Sequence, residues 1–128
     1  MQPTIVRRTP LVHDIIGACI EVHRNLGPGL LESAFARCLS YEFTARGIEF
    51  QQQVAIPVNY KGVQIDCGYR ADFVIGRSVL LELKSVDRVL PVHEAQILTY
   101  LKLTKVDQAL LVNFNVTRLT DGLKSYLR

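Results

Sequence analysis

Apolar and polar positions follow two rhythms along the chain, and the places where the rhythm changes divide it into parts. From Thr9 the rhythm is helical. Val12, Ile15, Ile16, Cys19, Ile20 and Val22 recur at three- and four-residue intervals, which predicts a helix running to about Asn25. Thr9 suits the N-cap and Pro10 the first helical position, where a missing N–H costs nothing. Leu26-Gly27-Pro28-Gly29 ends this helix. A second is predicted from about Leu30 to Arg46, with Leu31, Ala34, Phe35, Cys38, Leu39 and Phe43 as its buried stripe and Gly47 as its stop. The short connection between them predicts a helical hairpin.

From Phe50 the rhythm shortens to β-rich runs: Gln53 to Tyr60, a turn at Lys61-Gly62, Val63 to Ile75, a turn at Gly76-Arg77-Ser78, and Val79 to Val86. These predict an antiparallel meander. Helical spacing returns from Pro91 to Leu103 through Val92, Ala95, Ile97, Leu98, Leu101 and Leu103. Gln108 to Phe114 then reads as a buried strand and Thr120 to Leu127 as a short final helix. The strand, helix, strand passage from Leu80 to Phe114 has the form of a right-handed crossover, which sets its two strands parallel. The fold class is therefore α/β, a single domain over residues 1–128 with a mixed sheet of four or five strands flanked by helices.

One strand breaks its own pattern. In Val79-Leu80-Leu81-Glu82-Leu83-Lys84-Ser85, strand alternation puts Leu81 and Leu83 on one face and Glu82 and Lys84 on the other. If the Gly76-Arg77-Ser78 turn is a three-residue loop, Asp72 stands opposite Glu82 and two carboxylates meet on one face. Directly opposed like charges destabilise a sheet pair unless a cation neutralises them. A two-residue turn would slip the register and separate them. Oxygen-only ligation by a carboxylate pair suits Mg²⁺ or Mn²⁺, and an ammonium beside it, Lys84, can stabilise charge on a phosphate or act on an attacking water. The alternative is a solvated ion-pair face on an edge strand. The continuous apolar run Val79-Leu80-Leu81 favours a central strand covered on both sides.

Composition narrows the field without naming a chemistry. With 128 residues, 48% apolar and 21% charged, the chain can bury a core without staples, and disorder is not expected. No stretch approaches the roughly 20 apolar residues of a membrane span. The basic N-terminus, Met1 to Arg8, is followed by no apolar leader region, so a cytoplasmic location is expected. Cys19, Cys38 and Cys67 are odd in number, widely spaced and set in apolar patterns, and they read as buried thiols in a reducing compartment. A net charge of +3 mildly favours an anionic partner.

Asp72, a turn, then Glu82-Leu83-Lys84 followed by a helix resembles the core of the PD-(D/E)XK nuclease superfamily. In the following helix, Gln96-Ile97-Leu98-Thr99-Tyr100 has the Q-x-x-x-Y spacing of its RecB-like and Cas4-like branches. Positions i and i+4 share a helix face, so both side chains can address the sheet. A second stretch, His23 to Phe35, is similar to the signature of the small bacterial GxxExxY proteins, which are grouped with this fold; Gly29 and Glu32 match, while Phe35 replaces the Tyr. The residue before Asp72 is Ala71, so the proline of the superfamily motif is absent, and four clustered cysteines for an iron-sulfur cluster are missing.

The resemblance implies a nuclease-like fold and Mg²⁺- or Mn²⁺-dependent hydrolysis of a nucleic-acid phosphodiester, DNA before RNA. It assigns Asp72 and Glu82 to the metal with Glu32 assisting, Lys84 to the water or phosphate, and Gln96 and Tyr100 to positioning. Arg70, two residues before Asp72, could contact phosphate together with Lys84 and Tyr100. The small size favours recognition by structure, or through a homodimer, over a base code. Rival readings are a binding module, for nucleic acid or protein, that keeps the fold without turnover, and hydrolysis of a smaller phosphoester. His23 and His93 read as core or surface residues before ligands. Leu26-Gly27-Pro28-Gly29 is no phosphate loop, since it lacks the Lys-Ser/Thr and a preceding strand.

Overall fold

A computed structural model describes residues 8–128; the remainder of the basic N-terminal stretch, residues 1–7, lies outside the described residues. Two helices come first, α1 (Pro10–Leu26) and α2 (Glu32–Ala45). The Thr9 hydroxyl accepts from the Val12 amide at 3.1 Å and Pro10 opens α1, as the sequence predicts. Strands β1 (Phe50–Ala55), β2 (Val58–Tyr60), β3 (Val63–Ile65), β4 (Arg70–Ile75) and β5 (Val79–Lys84) follow. Helix α3 (Pro91–Thr104), β6 (Gln108–Asn113), a short 3-10 helix (Leu119–Gly122) and β7 (Leu123–Leu127) complete the chain.

The main sheet has five strands in the order β1-β4-β5-β6-β7, and β5 and β6 are parallel across the α3 crossover. α1 and α2 cover one face, where Val12, Ile15, Phe35, Phe43, Phe73, Leu81, Leu83 and Leu110 form one core. α3 covers the other, where Leu80, Ile97, Tyr100, Leu101, Leu111 and Tyr126 form a second. Strand β5 lies in the middle with Val79 to Leu83 buried, so the edge-strand alternative fails and the central-strand reading holds.

The meander is a different shape from the expected one. Each long β run is divided, at Ile56-Pro57 and at Asp66 to Tyr69, so β2 and β3 form a separate two-stranded ribbon and β1 pairs directly with β4. Pro57 has no N–H to give a ladder, and Gly68 has a positive φ, which turns the chain back. The expected helix over Thr120 to Leu127 is instead the end of the 3-10 helix and strand β7, antiparallel to β6. Stripe positions also shift: Ile20, Leu31, Cys38, Val92 and Ala95 are exposed, because each sits at the flank of its helix or before its first turn. Of the three thiols only Cys19 is buried; Cys38 and Cys67 are exposed, the latter in the loop before β4. Among the described residues no helix is long and apolar enough to cross a membrane.

Candidate active site

Strands β4 and β5 pair from Ile75 and Val79 as far as Phe73 and Leu81, in the register of a three-residue turn. The next step along that register sets Asp72 against Glu82. Here side chains replace backbone in the ladder: the Asp72 amide donates to Glu82 Oε1 at 2.8 Å, and the Leu83 amide donates to Asp72 Oδ2 at 2.8 Å. Each carboxylate thus accepts from a backbone N–H left free by the break in the ladder. The opposite flank breaks at the same place. β1 and β4 pair Gln52 with Phe73 and Val54 with Ala71, and Gln53 between them has φ +52°. Its side-chain amide donates to Asp72 Oδ1 at 3.3 Å. Asp72 therefore occupies a gap in the sheet, unpaired along its backbone ladder on both sides.

The two carboxyls are held against their preference for charge. Burial first, and then the neighbouring Asp72 carboxylate, push Glu82 up to about 8, against the partial relief of the Asp72 amide and of Lys84. Asp72 is also raised, chiefly by burial, with the Leu83 amide and Gln53 opposing. Lys84, half-buried two residues beyond Glu82, is the cation whose charge both acids feel. Burial and their mutual repulsion favour the protonated form of both acids.

Glu32 comes from the other side of the sheet. It begins α2, and its Oε2 accepts from the Ser85 amide at 3.0 Å, just past the end of β5. Its charge raises both Asp72 and Glu82, so the three acids lie within electrostatic reach of one another. They do not form a ready cage: among the described residues no group of three His, Cys, Asp or Glu is disposed to hold a metal ion.

Gln96 and Tyr100 do meet. Gln96 Nε2 donates to the Tyr100 hydroxyl at 3.0 Å, and Tyr100, buried over the sheet, has its own ionisation pushed up by burial and by the Glu82 charge. The Tyr69 ring lies 5.8 Å from that of Tyr100, closing the same side. Arg70 is exposed and turned to Asp66, at 3.4 Å, and to the carbonyl of Tyr69. His23 and His93 have structural partners. His23 Nε2 reaches the carbonyls of Phe114 and Val116 at 3.1 and 2.9 Å, and His93 Nδ1 accepts from the Leu90 amide at the start of α3.

A divalent cation suits this donor chemistry, because neighbouring carboxylates whose charge is disfavoured are relieved by a hard cation that takes the place of a proton. Asp72 and Glu82 would hold it, and Glu32, anchored through Oε2 by the Ser85 amide, would assist. Two residues beyond the sequence reading support the site. Gln53 binds Asp72, and the buried Asn113 accepts from the Val86 amide at 3.1 Å and donates to the Val86 carbonyl at 2.9 Å, fixing the chain beyond Lys84. Neither carries a signal in sequence. Gln53 is one of three consecutive glutamines, and Asn113 ends a strand where a turn residue is ordinary.

A central strand bearing Glu82 and Lys84, an Asp on the antiparallel neighbour and a crossover helix behind them define an α/β protein with an acid-pair site at the parting of two strands. The chain belongs to the PD-(D/E)XK nuclease superfamily, whose family model matches residues 9–126. Among solved structures it is similar to that of SSO0001, with 18% identity, 96% of this chain and 68% of that chain covered, and a TM-score of 0.43. No curated protein matches it.

Proposed function

We propose that the protein is a Mg²⁺-dependent nuclease, with Mn²⁺ able to substitute, that hydrolyses nucleic-acid phosphodiester bonds, DNA being the expected substrate. The observation that carries this reading is the pair of half-buried Asp72 and buried Glu82 at the gap between β4 and β5, with Lys84 on the strand of Glu82. Superfamily membership gives the pair its context. The bound cation would supply Lewis-acid polarisation of a phosphoryl oxygen and a more acidic water. Asp72 and Glu82 fix its place, and the backbone amides of Asp72 and Leu83 hold the carboxylates in position. Lys84 stabilises charge gathering on the phosphate and orients the attacking water, while Gln96 holds the Tyr100 hydroxyl over the same side. Arg70 is exposed, and with one guanidinium nitrogen on Asp66 it keeps further donors for a phosphate. Recognition by structure or through a homodimer, a cytoplasmic setting and kinship with the GxxExxY proteins belong to the same proposal.

The second reading is a nucleic-acid- or protein-binding module without turnover, in which the Glu32 carboxylate serves to hold the Ser85 amide at the end of β5. A cleavage assay separates the two. Single-stranded, duplex and branched DNA and RNA are offered with Mg²⁺ or Mn²⁺ to the wild type, Asp72→Ala and Lys84→Ala. Wild-type cleavage that drops at least about 100-fold in both variants supports the nuclease, the scale expected for loss of an electrostatic catalytic group. No cleavage of any substrate, or variants as active as wild type, rejects it.

A further inference from the structure

The structure assigns to Gln53 the role of a positioning residue: a glutamine held in a left-handed backbone conformation inside β1 so that its amide fixes the free oxygen of Asp72.

Three observations converge on it. Gln53 has φ +52° in the middle of a strand, a conformation that an L side chain adopts at a cost and that glycine adopts freely. The β1–β4 register continues unchanged on either side of it, so no insertion or slip of the chain demands the twist. The twist has a visible consequence. Ala71 packs in the core under α3 whereas Phe73, two residues on, packs in the core under α1 and α2; in the facing strand Val54 and Phe50 divide in the same way. Residues two or four apart on a regular strand share a face, so both strands change faces across the Gln53 and Asp72 step.

That inversion aims the Gln53 amide at Asp72 Oδ1, 3.3 Å away, while Oδ2 is taken by the Leu83 amide. With one donor from each neighbouring strand, the carboxylate loses its rotational freedom about the bond to Cβ. A strained residue that grips the acid of a candidate site follows the general pattern in which local strain persists where geometry matters more than stability. The side chain of Gln53 is otherwise exposed, and stability alone would favour glycine there.

The inference rests on the metal-site reading for its purpose, but not for its geometry, and two measurements keep them apart. The first is a thermal-unfolding cycle on the metal-free full chain with Gln53→Gly, Asp72→Ala and the double variant. Gln53→Gly relieves strain in both backgrounds and loses the amide bond only when Asp72 is present. It should therefore raise the unfolding midpoint more in the Asp72→Ala background than in wild type. Equal shifts in the two backgrounds overturn the claim, as does a Gln53→Gly protein markedly less stable than wild type in both. The second is calorimetric titration with Mn²⁺. Gln53→Gly should bind about tenfold more weakly than wild type, the scale of lost support to a metal ligand, and an unchanged affinity overturns the positioning role. If wild type itself takes up no Mn²⁺, the metal reading falls, and the unfolding cycle alone decides what Gln53 does to Asp72.

Discussion

A carboxyl group buried beside a second one binds its proton more tightly in the folded chain than in the unfolded one. Glu82, raised from 4.5 to about 8, is in that position. Between those values the folded chain carries the extra proton, so stability falls as pH rises through the window and is restored by acid, the reverse of a salt-bridged carboxylate. The whole effect is on the order of a few kcal/mol. Metal-free protein should accordingly unfold at a higher temperature at pH 5 than at pH 8.5. Glu82→Gln keeps an oxygen to accept from the Asp72 amide and carries no charge; it should flatten that dependence and be more stable than wild type at pH 8.5. Equal pH slopes for the two proteins, read by thermal melts across pH 5 to 9, would show that Glu82 is not held protonated. The sequence made this residue visible through a simple conflict, an ionisable group in a strand otherwise apolar enough to be central. The register was not visible, because the sequence leaves a two- and a three-residue turn both open, and the observed pairing of Ile75 with Val79 decides for the latter. Hidden from the sequence were Gln53, whose φ is a tertiary fact, and the engagement of Glu32 and Arg70 with partners of their own.

At the scale of elements, the site depends on how the end of β5 is held. The Phe114 amide donates to the Lys84 carbonyl at 3.0 Å, and Asn113 clamps Val86 from both sides of its side-chain amide. Gly122, at the end of the 3-10 helix, lies directly over this clamp: a Cβ there would come 1.9 Å from the Asn113 carbonyl oxygen. Since the obstacle is backbone, no rotamer change removes it. Gly122→Ala should destabilise the protein by about 1–3 kcal/mol and speed hydrogen exchange in the segment 85–90, while exchange in α1 changes less. A stability and exchange pattern like wild type would mean that the two segments part freely. This same region is where sequence reading went astray. Leu119, Leu123 and Leu127 recur every four residues and mimic a helix stripe, yet β6 leaves an edge that the segment 123–127 fills as a strand. Tertiary pairing overrode a local rhythm. In contrast, α1 and the β5–α3–β6 crossover were legible, because Val12, Ile15, Ile16, Cys19 and Val22 keep helical spacing and are buried together, and the apolar runs of β5 and β6 are buried in the middle of the sheet.

At the scale of the molecule, one sheet separates two cores, and the acid pair stands where its strands part. Asp72 on β4 and Glu82 on β5 belong to strands that both cores grip, Phe73 and Leu81 from one side and Leu80 from the other. A cation joining the two carboxylates would therefore tie together elements whose separation is part of global unfolding, and its binding energy would register as stability of the whole domain. At a free concentration 100 times the dissociation constant the gain is about 2.7 kcal/mol, and each kcal/mol moves the midpoint of a domain this size by roughly 3–5 °C. Because the cation must displace the proton that Glu82 holds, affinity should climb with pH and level off above about 8, where Glu82 is already ionised. Mn²⁺ should thus raise the unfolding midpoint of wild type more at pH 8.5 than at pH 6, and should fill the dip in stability that the repelling carboxylates create. Asp72→Ala and Glu82→Gln should lose the shift at both pH values. A Mn²⁺ shift of the same size in all three proteins would place the ion elsewhere on the surface, and the acid pair would then have to be explained as a site kept protonated for binding alone.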